Sequence, residues 1–111
     1  MKACEKGNFF EVKYLISNGA DINHKNILND TALFYACEHG NIDIVKYLVE
    51  NGALINDYNK SHDTPIILAY NHHHYKIVKY LISKGADINV TNSENLTILK
   101  KSIIKKKIVN F

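Results

Sequence analysis

The stretch Val45-Lys46-Tyr47-Leu48-Val49-Glu50-Asn51-Gly52-Ala53 decides the fold, because its pattern returns on either side at a fixed distance. Val12-Lys13-Tyr14-Leu15 with Gly19-Ala20 precedes it and Val78-Lys79-Tyr80-Leu81 with Gly85-Ala86 follows it, each displaced by 33 residues without insertion or deletion. Asn23, Asn56 and Asn89 hold the same register. So does a second block, in which Thr31-Ala32-Leu33 is answered by Thr64-Pro65-Ile66 and Thr97-Ile98-Leu99, and Ala3 by Ala36, Ala69 and Ser102. A period of this length marks an array of like units, each burying its neighbour, rather than one closed core.

Within a unit the residues predict two short helices. The first runs from Asp30 to His39, with Thr31 as N-cap, Pro65 in the first turn of the next copy, and Gly40 as a left-handed stop. The second carries Ile42, Val45, Leu48 and Val49 at helical spacing as an apolar stripe and ends at Gly52. Helices of about ten residues do not persist alone in water, where roughly 12–15 are needed, so adjacent units must cover each other's stripes. The polar segment 54–63, rich in Asn, Asp, Ser and Lys, predicts a projecting finger between helix pairs. Asn29, His62 and Asn95 stand two residues before each threonine, where positive φ is expected and His62 is the least comfortable.

These residues resemble the ankyrin-repeat family, whose unit is a 33-residue turn, helix, loop and helix. Asp63-Thr64-Pro65-Ile66-Ile67-Leu68-Ala69 and Asp30-Thr31-Ala32-Leu33-Phe34-Tyr35-Ala36 correspond to its Thr-Pro-Leu-His-x-Ala motif, and Gly-Ala-Asp-Ile-Asn to the exit from its second helix. The resemblance implies an all-α solenoid forming one domain over residues 1–111, with repeats at about 1–25, 26–58, 59–91 and 92–111, the first and last partial. One departure is systematic. The motif histidine, which in the family ties turns together by hydrogen bonds, is replaced by Phe34, Ile67 and Lys100, so weaker polar tethering between repeats is expected. Glu11, standing where Ile44 and Ile77 form the inner stripe, and Lys100, Lys101, Lys105, Lys106 and Lys107 in the last helix suit terminal units facing water. A fragment of a longer array remains an alternative.

Composition narrows the function. The chain has 111 residues, 46% hydrophobic and 23% charged, as expected of one soluble globular domain with no room for a separate catalytic one. No apolar run, residues 66–70 included, approaches the ~18 residues that a membrane span requires. Met1-Lys2-Ala3-Cys4-Glu5 lacks the apolar segment of a signal peptide, so an intracellular, cytoplasmic location is expected. Cys4 and Cys37 are too few for a disulfide framework and read as packed thiols. All 14 basic residues are lysine, and the lack of arginine disfavours nucleic-acid recognition. Lys, Asn, Ile and Tyr make up 50 residues, the signature of an AT-rich genome. Family members are common in AT-rich intracellular pathogens and large DNA viruses, so the resemblance admits action in a host-cell cytoplasm or nucleus.

No phosphate loop, Gly-x-Ser-x-Gly or His-Glu-x-x-His pattern occurs, and Asp21, Asp30, Asp63 and Asp87 are spread at repeat spacing rather than paired. No enzymatic activity, cofactor, metal site or small-molecule substrate is expected. His72-His73-His74 falls at the end of a first helix and in the following loop, where the three side chains are expected to diverge. The Tyr14, Tyr47 and Tyr80 ladder reads as packing between repeats.

The expected function is a monomeric protein-protein interaction module. If contacts follow the family, they come from finger tips and the exposed side of each first helix: Ile27, Leu28, Asp30, Glu38 and His39, then Lys60, Ser61, Asp63, Asn71 and His72, then Ser93 and Glu94. Ile27 and Leu28 weigh most, since a solvated tip needs no branched aliphatics, although folding back onto the neighbouring finger would also account for them. The alternative is an electrostatic nucleic-acid or anionic-membrane binder acting through the lysine-rich C-terminus. The resemblance further implies asparaginyl hydroxylation at Asn23 and Asn89, where leucine, five residues, an acid and an aliphatic precede the asparagine; Leu54 breaks that pattern before Asn56.

Overall fold

The computed structural model describes residues 7–88, in which five helices follow one another: α1 (Phe9–Ser17), α2 (Ala32–His39), α3 (Ile42–Glu50), α4 (Pro65–Asn71) and α5 (Tyr75–Ser83). Among the described residues there is no strand. They form two layers, α2 against α4 on the inside and α1, α3 and α5 side by side on the outside, with each inner helix packed on the outer helix that follows it. Ser93, Glu94, Asn89, Asn95, Cys4, Lys100 and the other C-terminal lysines, and the expected fourth repeat, lie outside the described residues.

The Gly-Ala signature has a direct cause. Gly19, Gly52 and Gly85 take φ of 93°, 98° and 96°, and the next alanine N–H turns back to the carbonyl of Leu15, Leu48 or Leu81 at 3.0, 2.9 and 2.9 Å. Each glycine N–H also bonds the carbonyl three residues earlier, which completes a Schellman stop and satisfies the last carbonyls of the helix. The inner helices stop differently. Gly40 ends α2 at φ 79°, and its Cα faces the His74 ring so closely that a Cβ there would stand 2.5 Å from the ring.

The core follows the repeat. Ile44, Val45 and Leu48 of α3 and Ile77, Val78 and Leu81 of α5 are fully buried, together with Leu33, Ala36 and Cys37 of α2 and Ile66, Ile67 and Ala69 of α4. The buried stripe of α3 therefore holds Val45 and Leu48 as expected together with Ile44 at the inner-stripe position, while Ile42 and Val49 are only half-buried. In α1 only Val12 is buried, and Glu11 points to solvent with its N–H bonded to Asn8 Oδ1. The first inner helix begins at Ala32 rather than Asp30, because Thr31 is extended (φ −108°, ψ 177°) and its hydroxyl makes no capping bond.

Phe34 and Ile67 fill the motif-histidine position as core residues, and the hydroxyls of Thr31 and Thr64, buried nearby in sequence, have no hydrogen-bond partner. Polar tethering between repeats is nevertheless present, carried by asparagine. Asn23 Nδ2 donates to the Gly52 carbonyl (3.1 Å) while its Oδ1 accepts from the Leu54 N–H (2.9 Å). Asn56 repeats both contacts one unit later, to the Gly85 carbonyl and the Asp87 N–H. Asparagine side chains thus tether neighbouring repeats where the motif histidine is missing, while the threonine hydroxyls beside that position stay without partners.

The tyrosines do not form a direct ladder. Tyr14 is 66% exposed, Tyr47 meets Phe9 of α1 edge-on at 5.8 Å, and the Tyr80 ring lies under the Lys46 ammonium at 5.8 Å. Tyr47 and Tyr80 do contact the preceding repeat, but on different kinds of residue. Cys37 is fully buried, and that burial pushes its thiol far above the ordinary cysteine range, so it is inert packing.

Candidate partner-binding surface

Two fingers lie within the described residues, and one asparagine organises each. In the first, Asn26 Oδ1 accepts from the N–H groups of Leu28 and Asp30 at 2.9 and 3.0 Å. Its backbone N–H donates to the Asp30 carbonyl, and its carbonyl receives the Asn29 N–H. Asn59 makes the same set of bonds with Ser61, Asp63 and His62 in the second finger. The side chain of an Asx turn thus satisfies backbone donors that have no helix or strand to serve them. The closed loop forces Asn29 and His62 to φ of 62° and 63°, as their position predicted.

The fingers are joined to each other. Asn59 Nδ2 donates to Asp30 Oδ1 at 2.9 Å, the Lys60 N–H donates to the Leu28 carbonyl at 2.9 Å, and Lys25 and half-buried Asp57 form an ion pair at 3.5 Å. Asn26 Nδ2 bonds the Tyr35 hydroxyl at 2.6 Å and so fixes the first finger to α2. These asparagines escaped the sequence reading. Their only signal is Asn26 and Asn59 in register, each four residues before an aspartate, inside a loop where asparagine is common.

On this frame the tip residues are held outward. Ile27 is 85% exposed and Leu28 54%, so neither folds back onto the neighbouring finger. Lys60 and Ser61 take the same positions on the second tip and are exposed. Behind the tips, Asp30 and Asp63 are half-buried. Desolvation raises the Asp63 pKa above the usual carboxylate value, the Asp30 charge raises it further, and His62 works in the opposite direction.

On the inner helices, His39, Asn71 and His72 are exposed and Glu38 is half-buried. Of these four, Asn71 and His72 mark the end of α4, and Glu38 and His39 the end of α2. The histidine run departs from the expected divergence. His72 and His74 lie parallel with ring centroids 6.3 Å apart, while His73 turns to the Tyr75 hydroxyl at 2.9 Å. Each ring of the parallel pair is anchored to a carbonyl, His72 Nδ1 to Leu68 and His74 Nε2 to Glu38 of the preceding repeat, at 2.9 and 3.0 Å. His74 is therefore a tether between repeats. Among the described residues, no three His, Cys, Asp or Glu side chains group to hold a metal ion, and no helix is long and apolar enough to cross a membrane.

Asn23 is half-buried, with both ends of its amide engaged by the next repeat. Any modifying enzyme would have to loosen those two bonds to reach it.

Compared with known proteins, residues 1–92 match the family model described as ankyrin repeats, in three copies. No curated protein matches the chain. The match covers most of the sequence, and the described residues show two inner and outer helix pairs with the Gly-Ala stop at the end of each of three outer helices, so the chain belongs to the ankyrin-repeat family.

Proposed function

We propose that this protein binds a protein partner through its finger tips and the exposed ends of its inner helices, with Ile27 and Leu28 as the apolar anchor. Ankyrin repeats generally act as protein-protein interaction modules and generally lack enzymatic activity. The observation that carries the reading is the exposure of Ile27 and Leu28 on a finger braced by Asn26, Asn59 and Tyr35. A rigid loop loses little conformational entropy on binding, so apolar area at its tip converts efficiently into affinity. Asp30, Glu38, His39, Lys60, Ser61, Asp63, Asn71 and His72 form the polar surround.

The test is pulldown or cross-linking from the native cell with the double substitution Ile27→Asp/Leu28→Asp. Loss of two central apolar contacts lowers partner recovery by about thirtyfold or more, corresponding to ~2 kcal/mol. Unchanged recovery with the circular dichroism spectrum retained overturns the assignment of this surface.

A further inference from the structure

Two asparagines of this chain stand directly before a glycine, Asn18 before Gly19 and Asn51 before Gly52, whereas the third outer helix has Lys84-Gly85 at the same place. Glycine lacks the Cβ that would crowd its backbone nitrogen, so that nitrogen can reach the side-chain amide of a preceding asparagine. Both asparagines cap an outer helix in nearly the same conformation, Asn18 at φ −98° and ψ 18° and Asn51 at φ −103° and ψ 18°. Each Nδ2 donates to the carbonyl four residues back, Tyr14 at 2.7 Å and Tyr47 at 2.8 Å. At this ψ the glycine nitrogen is turned away from the asparagine side chain, and the two meet only when the helix stop opens. Opening breaks the same bonds in both repeats: the Nδ2 bond, the glycine N–H to the carbonyl three residues back, and the alanine N–H to the leucine carbonyl.

The surroundings make the two places unequal. Asn23 grips the Gly52 carbonyl and the Leu54 N–H, on either side of nearly buried Ala53, at 3.1 and 2.9 Å. The corresponding Gly19 carbonyl and Asp21 N–H have no hydrogen-bond partner among the described residues, and Ala20 is exposed. The helices behind the stops differ too, since α1 buries only Val12 whereas α3 buries Ile44, Val45 and Leu48. Local opening is therefore easier at the end of α1.

We propose that Asn18 is a site of spontaneous deamidation, and that the clamp from Asn23 protects Asn51 from the same reaction. The Gly19 nitrogen gives its proton to solvent and attacks Asn18 Cγ. An N–Cγ bond forms, the Cγ–Nδ2 bond breaks, and Nδ2 takes a proton from solvent and leaves as ammonia, so that a cyclic imide remains. Water then opens the ring at either carbonyl to give aspartate or isoaspartate, and nothing is oxidised or reduced. Either product has lost the amide that donated to the Tyr14 carbonyl, and it sets a carboxylate at the negative end of the α1 dipole. Conversion thus loosens the stop of the first outer helix and leaves the finger tips unaltered.

The experiment incubates the full chain in mildly alkaline buffer below its melting temperature and follows both asparagines by peptide mapping with mass spectrometry, with isoaspartate scored by enzymatic methylation. Asn18 converts about tenfold faster than Asn51, because two further hydrogen bonds hold the second stop closed. Asn23→Ala removes that clamp and brings the Asn51 rate to within about threefold of the Asn18 rate, which serves as the internal reference for any general change in stability. Equal rates at the two asparagines of the natural chain overturn the proposal, and this comparison needs no variant. A ratio of rates unchanged in Asn23→Ala, with its circular dichroism spectrum retained, also overturns it. So does the absence of conversion at Asn18 over a period in which the urea-unfolded chain converts fully.

Discussion

Asn59 of the second finger donates its side-chain amide to Asp30 of the first at 2.9 Å, while its own carbonyl oxygen closes the turn that contains it. One side chain thus shapes its own finger and fastens it to the one before. Asn59→Ala removes three side-chain hydrogen bonds from a half-buried position and destabilises the protein by about 2 kcal/mol, at roughly 1 kcal/mol per bond less partial rehydration. Asn26→Ala, which breaks the link to Tyr35 instead of a link between fingers, costs about the same. Hydrogen exchange separates them: Asn59→Ala deprotects the Lys60 amide as well as its own turn, and Asn26→Ala deprotects Leu28 and Asp30 first. Urea unfolding of each variant tests the magnitude.

The positive φ of His62 has a direct consequence. A non-glycine residue in the left-handed region costs roughly 1–2 kcal/mol, of which glycine's greater freedom in the unfolded chain returns part. His62→Gly therefore stabilises by about 0.5–1 kcal/mol, and Asn29→Gly by less, because asparagine tolerates this region better. Thermal melting of the two variants provides the comparison, and a loss of stability in both would show that the histidine's contacts outweigh the strain.

Thr64 caps α4 by position only. Its hydroxyl is buried without a partner, so Thr64→Val removes an unsatisfied polar group at nearly constant shape. The variant gains about 1 kcal/mol in urea unfolding, against the loss of ~1 kcal/mol that a working threonine cap would incur.

Asp63 gives the fold a pH dependence of defined sign. Its folded pKa is raised above the value of 3.8, chiefly by desolvation and then by Asp30, so the native state holds the proton more tightly than the unfolded state. Its contribution is most favourable below the unfolded pKa and is lost as pH rises through the folded one. Asp63→Asn, uncharged throughout, consequently gains on the natural chain as pH moves from about 4 to 7. Paired urea midpoints across that range check the direction, and a variant that loses ground with rising pH would reverse it.

The sequence made the repeat, the helix order, the glycine stops and the positive-φ sites legible, because each depends on residue type at fixed spacing. Gly52-Ala53 is the clearest case, since glycine supplies the left-handed turn and small, nearly buried Ala53 returns its N–H to Leu48. Side-chain partnerships were less legible. Asn23, Asn56 and Asn59 look like ordinary loop residues until the neighbouring repeat is placed beside them. The parallel His72 and His74 rings and the half-burial of Ile42 and Val49 depend on packing between units, which a one-dimensional pattern does not encode.

The most direct measurement is site-specific photo-cross-linking in the native cell, with the reactive group placed in turn at Leu28, on the first finger, and at Glu50, exposed on the outer layer. The account predicts one discrete protein adduct from position 28, lost in the presence of Ile27→Asp, and none of that mass from position 50. Adducts of equal yield from both positions, or from position 50 alone, would contradict it.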